Sequence, residues 1–464
     1  MRTSAALAAL ASVMLLAGCR VSSADVLPPA AEAAPLHEAV ARLTDVIVYD
    51  IFSPTQASRA YAYASVAAYE AVRHGDTAYR SLAGQVNGLA PVPAPPAGDS
   101  VSLPLAGVHA FLTVGRQLTF SRARMDSLRM AMDERFRRAG MPEAVYARSL
   151  AYGDTVATHV LAWAAADGYA RSRGLPKYTV TSAAGTWVPT PPAYMDAVEP
   201  HWATLRPFAM DSASQFRPAP PLPYDTARGS AFFREVLEVY DVGRTLTDEQ
   251  RAIAAFWDCN PYVMHVQGHT MFATKKITPG GHWMSIVGLA ARKADAGLVA
   301  SAEAYARTAM ALADAFIASW EEKFRSNLVR PETVINAYVD EQWQPLLQTP
   351  PFPEHTSGHS VISMAAATVL TDLFGDDFAF ADSSEVPYGL PVREFASFRE
   401  AAAQAAISRL YGGIHYRRAI EAGVVQGRAV GEHHLRRVDT RPGRRAPTTV
   451  AGGATASPRS RPSY

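Results

Sequence analysis

Apolar and small residues recur at helical spacing along most of the chain, and no segment shows the strict alternation expected of a half-buried strand. The pattern predicts an all-α protein. Ser53-Pro54 reads as an N-cap followed by proline at the first helical position. The Ala- and Tyr-rich run from Pro54 to about Arg73 suits helix-on-helix packing. Helical stretches follow over 105–138 and 143–168, parted by Gly140 and Pro142. Thr247-Asp248-Glu249-Gln250 has the spacing of a capping box and opens a helix to about Trp257. Further helices fit 282–295, 300–325, 358–374, 393–411 and 414–430. Residues 88–104 form a Pro/Gly loop, and 173–231, rich in proline and aromatics, has no helical period. An irregular stretch of that length inside a domain usually carries function.

Composition narrows the picture. Of 464 residues 48% are hydrophobic, enough for a sizeable core. Lys+Arg numbers 44 against 43 Asp+Glu, so no basic excess points to nucleic acid. Two cysteines exclude a disulfide scaffold. The N-terminus, MRTSAALAALASVMLLAGCR, has a short basic start and an apolar run over 5–18 that is too short for a mature membrane span. Leu16-Ala17-Gly18-Cys19 resembles a bacterial lipobox, which implies cleavage before Cys19 and lipid attachment to it. The expectation is an exported bacterial lipoprotein, anchored at the outer membrane and facing periplasm or exterior. The chain then divides into a lipoprotein signal (1–19), a tether (20–35), an N-terminal helical region with Pro-rich loops (36–230), a catalytic helical domain (231–435) and a disordered Arg/Pro tail (436–464).

Three segments of the last third carry candidate chemistry. In Trp320 to Pro331, Lys323 and Arg330 stand seven apart, which returns to nearly the same helical face, with Pro331 ending the helix after Arg330. In Pro350 to Ser360, a Ser357-Gly358 turn opens an apolar helix. It can cap that helix, or hold an anion on its free N–H groups. In Ile407 to Tyr416, Gly412-Gly413 breaks the helix, so that Arg409 and His415 can converge from two elements. Together these segments supply three fixed cations, the titratable His359 and His415, and neutral donors from Ser357 and Gly358. That inventory suits a tetrahedral oxyanion of about two negative charges, since arginine binds such oxygens bidentately.

In order and spacing, the segments match the K-x6-RP, SGH and SR-x5-H motifs of a superfamily. It comprises the vanadium-dependent haloperoxidases, the type 2 phosphatidic acid phosphatases and the bacterial acid phosphatases. The chain resembles the haloperoxidase branch more closely. Trp320, three before Lys323, and Phe352, seven before His359, match residues that line the halide side in vanadium chloroperoxidase. Pro54 to Glu70, Phe256-Trp257-Asp258 and Pro279 to Trp283 are also similar to bacterial members. The resemblance implies two packed helical bundles like those of vanadium chloroperoxidase, with the ligand in the core of the second. It implies vanadate bonded through its vanadium to His415. Lys323, Arg330, Arg409, Ser357 and the Gly358 N–H would hold its oxygens, and His359 would be the general acid–base. Catalysis would fall to His359, His415 and Lys323, with hydrogen peroxide and halide as substrates. The alternative within the superfamily is a phosphatase that hydrolyses a phosphate ester through a phosphohistidine at His415, with phosphate in place of vanadate. A rival of another class is a non-catalytic oxyanion-binding lipoprotein. The chain departs from the family at Ala419, where an aspartate often stands four residues after the histidine, so another group must orient His415. Asp258 is a candidate partner for one of the arginines. The pairs His265/His269 and His355/His359 have spacing that could bind zinc on a helix, but glycines argue against helix across both. His433-His434 is expected to face solvent.

Overall fold

The computed structural model describes residues 29–443; the signal segment with Cys19 and residues 444–464 lie outside the described residues. The helices are α1 (Pro29–Tyr49), α2 (Pro54–Val72), α3 (Leu103–Leu118), α4 (Arg122–Arg138), α5 (Glu143–Ala165) and α6 (Tyr169–Arg173). They continue as α7 (Ala231–Arg244), α8 (Asp248–Phe256), α9 (Pro279–Lys293), α10 (Leu298–Ser326) and α11 (Pro331–Tyr338). The last three are α12 (Gly358–Phe374), α13 (Phe398–Tyr411) and α14 (Arg417–Arg437). The local start signals are used. The Ser53 hydroxyl accepts from Gln56 N at the head of α2, and Thr247 and Gln250 form both bonds of the capping box on α8.

α10 is the axle of the fold. Its side chains are buried almost from end to end, because α2 covers one side and α12 the other. Around it α2 packs on α3, α3 on α5, and α12 on α13 and α14, so one hydrophobic core runs through residues on both sides of position 230. Small residues let the backbones approach. On α14, Gly423, Gly427 and Gly431 recur every fourth residue and face α12. A methyl at Gly427 would sit 2.1 Å from the Val361 carbonyl oxygen, so only glycine fits there. This close seam sets the N-terminus of α12 against the start of α14, where Ser357 N donates to Ala419 O at 3.0 Å.

The fold departs from the sequence pattern in several places. Residues 29–35, expected as tether, are the first turns of α1, because Ala33 and Leu36 belong to an apolar stripe that packs on the core. The described start of the tail is also ordered: α14 runs to Arg437, and Thr440 and Arg441 bond Glu303 of α10. Strands exist. β1 (Val263–Gln267) pairs antiparallel with β2 (Thr270–Thr274) around Gly268, whose φ of 57° suits glycine. β3 (Phe380–Asp382) pairs with β4 (Arg393–Phe395), where the pattern in part predicts helix. Both hairpins are too short, and the first too exposed, to show alternation. The predicted helix over 105–138 breaks at Thr119 to Ser121. α7 and α11 form where the periodicity predicts no helix.

Candidate functional site

The three motif segments meet at one small cavity, with about 30 Å³ open to the centre of a water-sized sphere. Gly358, His359, Arg409, His415, Trp320 and Phe352 line it, together with Asp258, Cys259 and Tyr262. Lys323, Arg330 and Ser357 stand directly behind this wall, fully buried. The route by which Arg330 arrives differs from the expected continuous helix. α10 stops at Ser326, Asn327 turns into the left-handed region (φ 48°), and Arg330 is the N-cap residue of α11. Lys323 and Arg330 therefore converge through the turn that ends α10 and not through a shared helical face.

The Lys323 ammonium donates to the carbonyls of Pro353 (3.1 Å), Glu354 (3.0 Å) and Thr356 (2.5 Å). It also lies over the Phe352 ring at 5.2 Å, and Arg330 approaches that ring at the same distance. The Trp320 and Phe352 rings are in contact, with centroids 4.9 Å apart. Arg330 donates through Nε to Phe352 O (2.9 Å) and through Nη1 to Ile414 O (2.9 Å). Arg409 donates through Nη2 to Trp257 O at 2.9 Å. Ser357 caps α12, its hydroxyl accepting from Ser360 N and from the Ser360 hydroxyl. Its own proton stays free to be donated elsewhere, so capping and ligand holding are compatible. Gly358 opens the first turn of α12, where N–H groups have no intrahelical acceptor.

The group that orients His415 is Glu354, to which the motifs assign no role. Its Oε1 lies 2.7 Å from His415 Nδ1 and also accepts from Tyr416 N at 3.0 Å. The other ring nitrogen, Nε2, lies 3.1 Å from Arg330 Nη1. A guanidinium only donates, so Nε2 must carry its lone pair and Nδ1 the proton. Glu354 thereby fixes the tautomer, as a carboxylate behind a metal-bound histidine does. The usable signal in the sequence is a lone acid three residues before Ser357 of the SGH motif, in a proline-rich, apolar stretch.

Burial and the neighbouring cations shift every titratable group here. Burial, then Arg330, push Lys323 well below the ordinary lysine value. Arg330 falls to about 10 for the first reason. His415 and His359 are held well below the ordinary histidine value by burial and by nearby arginine, so both imidazoles are neutral. Burial raises Glu354 to about 8 against the pull of Arg330 and Lys323. Among the buried polar atoms of the site without a partner among the described residues are Arg330 Nη2 and His359 Nε2, and also Glu354 Oε2 and Asp258 Oδ1. The three cations thus face two buried acids, Glu354 beside Lys323 and Arg330, and Asp258 beside Arg409, and Asp258 is shared with Lys276. The expected Asp258–arginine partnership is electrostatic and not a direct bond: Asp258 is the nearest acidic influence on Arg409, whose Nη2 donates to the Trp257 carbonyl.

The two histidine pairs do not gather into zinc sites. His355 bonds Ala219 O at 3.1 Å, away from His359, and His265 sits on exposed β1 beside Thr274. His434 does not face solvent either; it is buried on α14 with Nε2 2.8 Å from Asp314.

Comparison with known proteins decides between the alternatives. A family model described as the second helical-bundle domain of VCPO matches residues 303–442. A bacterial vanadium-dependent iodoperoxidase of known structure is 49% identical, over 88% of this chain and 97% of its own, with a TM-score of 0.84. The chain belongs to the vanadium-dependent haloperoxidases. The holo and apo forms of a bacterial vanadium-dependent chloroperoxidase share its fold at 18% identity, with TM-scores of 0.63 and 0.62. They align over 84% and 83% of this chain and 93% and 95% of theirs. No protein of curated function matches. The protein is thus an enzyme that oxidises halide with hydrogen peroxide using vanadate, and the phosphatase and pure-binder alternatives are not favoured. The residues present fit that cofactor: buried cations, the unpartnered Arg330 Nη2 and His359 Nε2, and the His415 Nε2 lone pair that now accepts from Arg330 gather at one cavity.

Proposed function

We propose that the halide is iodide, and that His415 Nε2 holds vanadate in the cavity between α10, α12 and α13. The reading rests on the orphaned Arg330 Nη2 and His359 Nε2 beside an imidazole whose tautomer is fixed by Glu354. The 49% identity to an iodoperoxidase supports iodide as the halide. When bound, vanadate supplies Lewis-acid activation of peroxide without changing its oxidation state. The protein's part is electrostatic. Arg330, Arg409, the Ser357 hydroxyl and the first-turn N–H of α12 hold the oxygens. Lys323 exchanges a main-chain carbonyl for the anion, whose charge favours the ammonium form. His359, neutral and unpartnered at Nε2, takes the proton of hydrogen peroxide. Trp320 and Phe352 form the apolar wall beside which a large, weakly hydrated halide rests. Steady-state oxidation of iodide, bromide and chloride on vanadate-loaded protein tests the reading. Turnover with iodide well above bromide is expected, and equal kcat/KM for the two would overturn it.

Export and anchoring belong to the same proposal: Leu16-Ala17-Gly18-Cys19 directs cleavage and lipid attachment at Cys19, in the outer membrane. Among the described residues no helix is long and apolar enough to cross a membrane. Mass spectrometry of the mature N-terminus should find acylated Cys19, and Cys19→Ser should move the protein out of the membrane fraction. An unmodified N-terminus beyond residue 19 would refute the anchor.

A further inference from the structure

A second cluster of ligating side chains lies outside the set that faces the oxyanion. Cys259 Sγ is 3.3 Å from His282 Nδ1 and 3.7 Å from Glu385 Oε1, and that Glu385 oxygen is 3.1 Å from the same Nδ1. All three residues are buried, and they come from the segment after α8, from α9 and from the loop after β3. A tetrahedral ion with bonds of about 2.3 Å to sulfur and about 2.0–2.1 Å to nitrogen and oxygen puts its ligand atoms roughly 3.3–3.7 Å apart. Two of the three separations fall within that range, and the third, the 3.1 Å between Glu385 and His282, lies just below it. The far nitrogen of His282, Nε2, is 2.8 Å from Asp382, a fully buried carboxylate that also accepts from Ser384 N at 3.0 Å. A metal-bound histidine is normally backed in this way. The Trp257 ring stacks on His282 with centroids 4.6 Å apart, closing one side.

We propose that Cys259, His282 and Glu385 bind a zinc-like divalent cation, with Asp382 holding His282 in its ligating tautomer and water as the fourth ligand. The thiolate, imidazole and carboxylate set selects zinc over calcium or magnesium, which prefer oxygen alone. Binding displaces the thiol proton and the Nδ1 proton, while Nε2–H stays on Asp382. The ion would tie three chain segments together behind the cavity. One of them carries the Trp257 carbonyl that holds Arg409 and the Cys259 side chain that lines the cavity wall. It is thus a structural metal beside the oxyanion site, distinct from the vanadate.

The test uses the full chain produced with zinc, and separately with cobalt in place of zinc. Elemental analysis should find one zinc per chain, and absorption at the zinc edge should report one sulfur among nitrogen and oxygen neighbours, whether or not vanadate is loaded. Cobalt protein should show a thiolate-to-cobalt charge-transfer band that Cys259→Ser removes. Asp382→Asn should keep the band and lose metal to a chelator at about 10- to 100-fold lower concentration. Zinc far below one per chain, a shell without sulfur, or a band unchanged in Cys259→Ser would each overturn the proposal. The edge measurement needs no variant, so it decides the matter even if Cys259→Ser fails to fold.

Discussion

The two ends of α10 bury charge in opposite ways. Toward its start and middle, Glu303 and Asp314 are saturated with donors. Asp314 accepts from three consecutive backbone N–H groups, Phe208, Ala209 and Met210, and from His434 at 2.8 Å. Glu303 meets Arg307, Arg441 and Thr440. At the far end the Lys323 ammonium bonds carbonyls and, among the described residues, no carboxylate, and it shares its surroundings with two more buried cations. Histidines report the same contrast. Burial would lower His109 too, yet its bonds to Asp133 (3.0 Å) and Asp154 (2.9 Å) outweigh it and raise the ring to about 9. His359 and His415, with cations for neighbours, go down. Matched charge is architecture; unmatched charge of one sign, kept at the cost of desolvation, marks a place built for an anion.

This contrast can be broken in several ways. The largest effect belongs to His415→Ala, which should lower iodide oxidation by about 10³-fold or more, as removal of one member of a catalytic unit does. Retention of vanadium by the variant, read by elemental analysis, would contradict the assigned ligand. Away from the site, Asp167 forms another matched cluster, taking Arg59 at 2.6 Å and Tyr63 at 3.1 Å. Asp167→Asn should cost about 3–5 kcal/mol in denaturant unfolding, the usual penalty for stripping one partner from a buried pair. Its turnover per folded molecule should not change. Third, vanadate at about 100 times its Kd should stabilise the wild type by about 2.7 kcal/mol. The same increment should appear in Asp167→Asn and vanish in Arg330→Ala, measured by thermal shift; a gain in Arg330→Ala would show the anion lodging elsewhere.

The smallest effects are graded ones. Glu354→Gln should weaken vanadate binding by about 10- to 100-fold, because His415 loses the partner that favours its ligating tautomer. Unfolding of the protein without vanadate should not become easier, since a costly buried carboxylate is removed. His109 has its pKa raised by folding. Its contribution is complete below about pH 6.5, the unfolded value, and is lost as pH rises through about 9. His109→Gln should flatten the fall in stability over that window and leave the rest of the pH profile alone.

Much of the helical content is legible in the sequence because periodicity and caps are local. Ser53-Pro54 and the Thr247 capping box both start helices, and α12 and α14 begin near the glycines that mark them. The hairpin β1–β2 is not legible, since its apolar residues lie on an exposed ribbon with no buried face to impose alternation. Of the site, the motif residues can be named from the sequence, but the path of Arg330 cannot. It depends on Asn327 leaving the helix, a single turn that the local composition does not announce.

What the residues alone determined is the inventory: three cations, two histidines, a serine and a glycine, in an order and spacing that only a few chemistries use. Tertiary structure decided which of them are satisfied and which are left wanting. Glu354 became the partner of His415 because the turn before α12 and the break after α13 close on each other, over 61 positions of sequence. Asp258 came to be shared between Arg409 and Lys276. A side chain's type is written in the sequence, but its partner is chosen by packing, and the free energy of a buried charge depends on the partner.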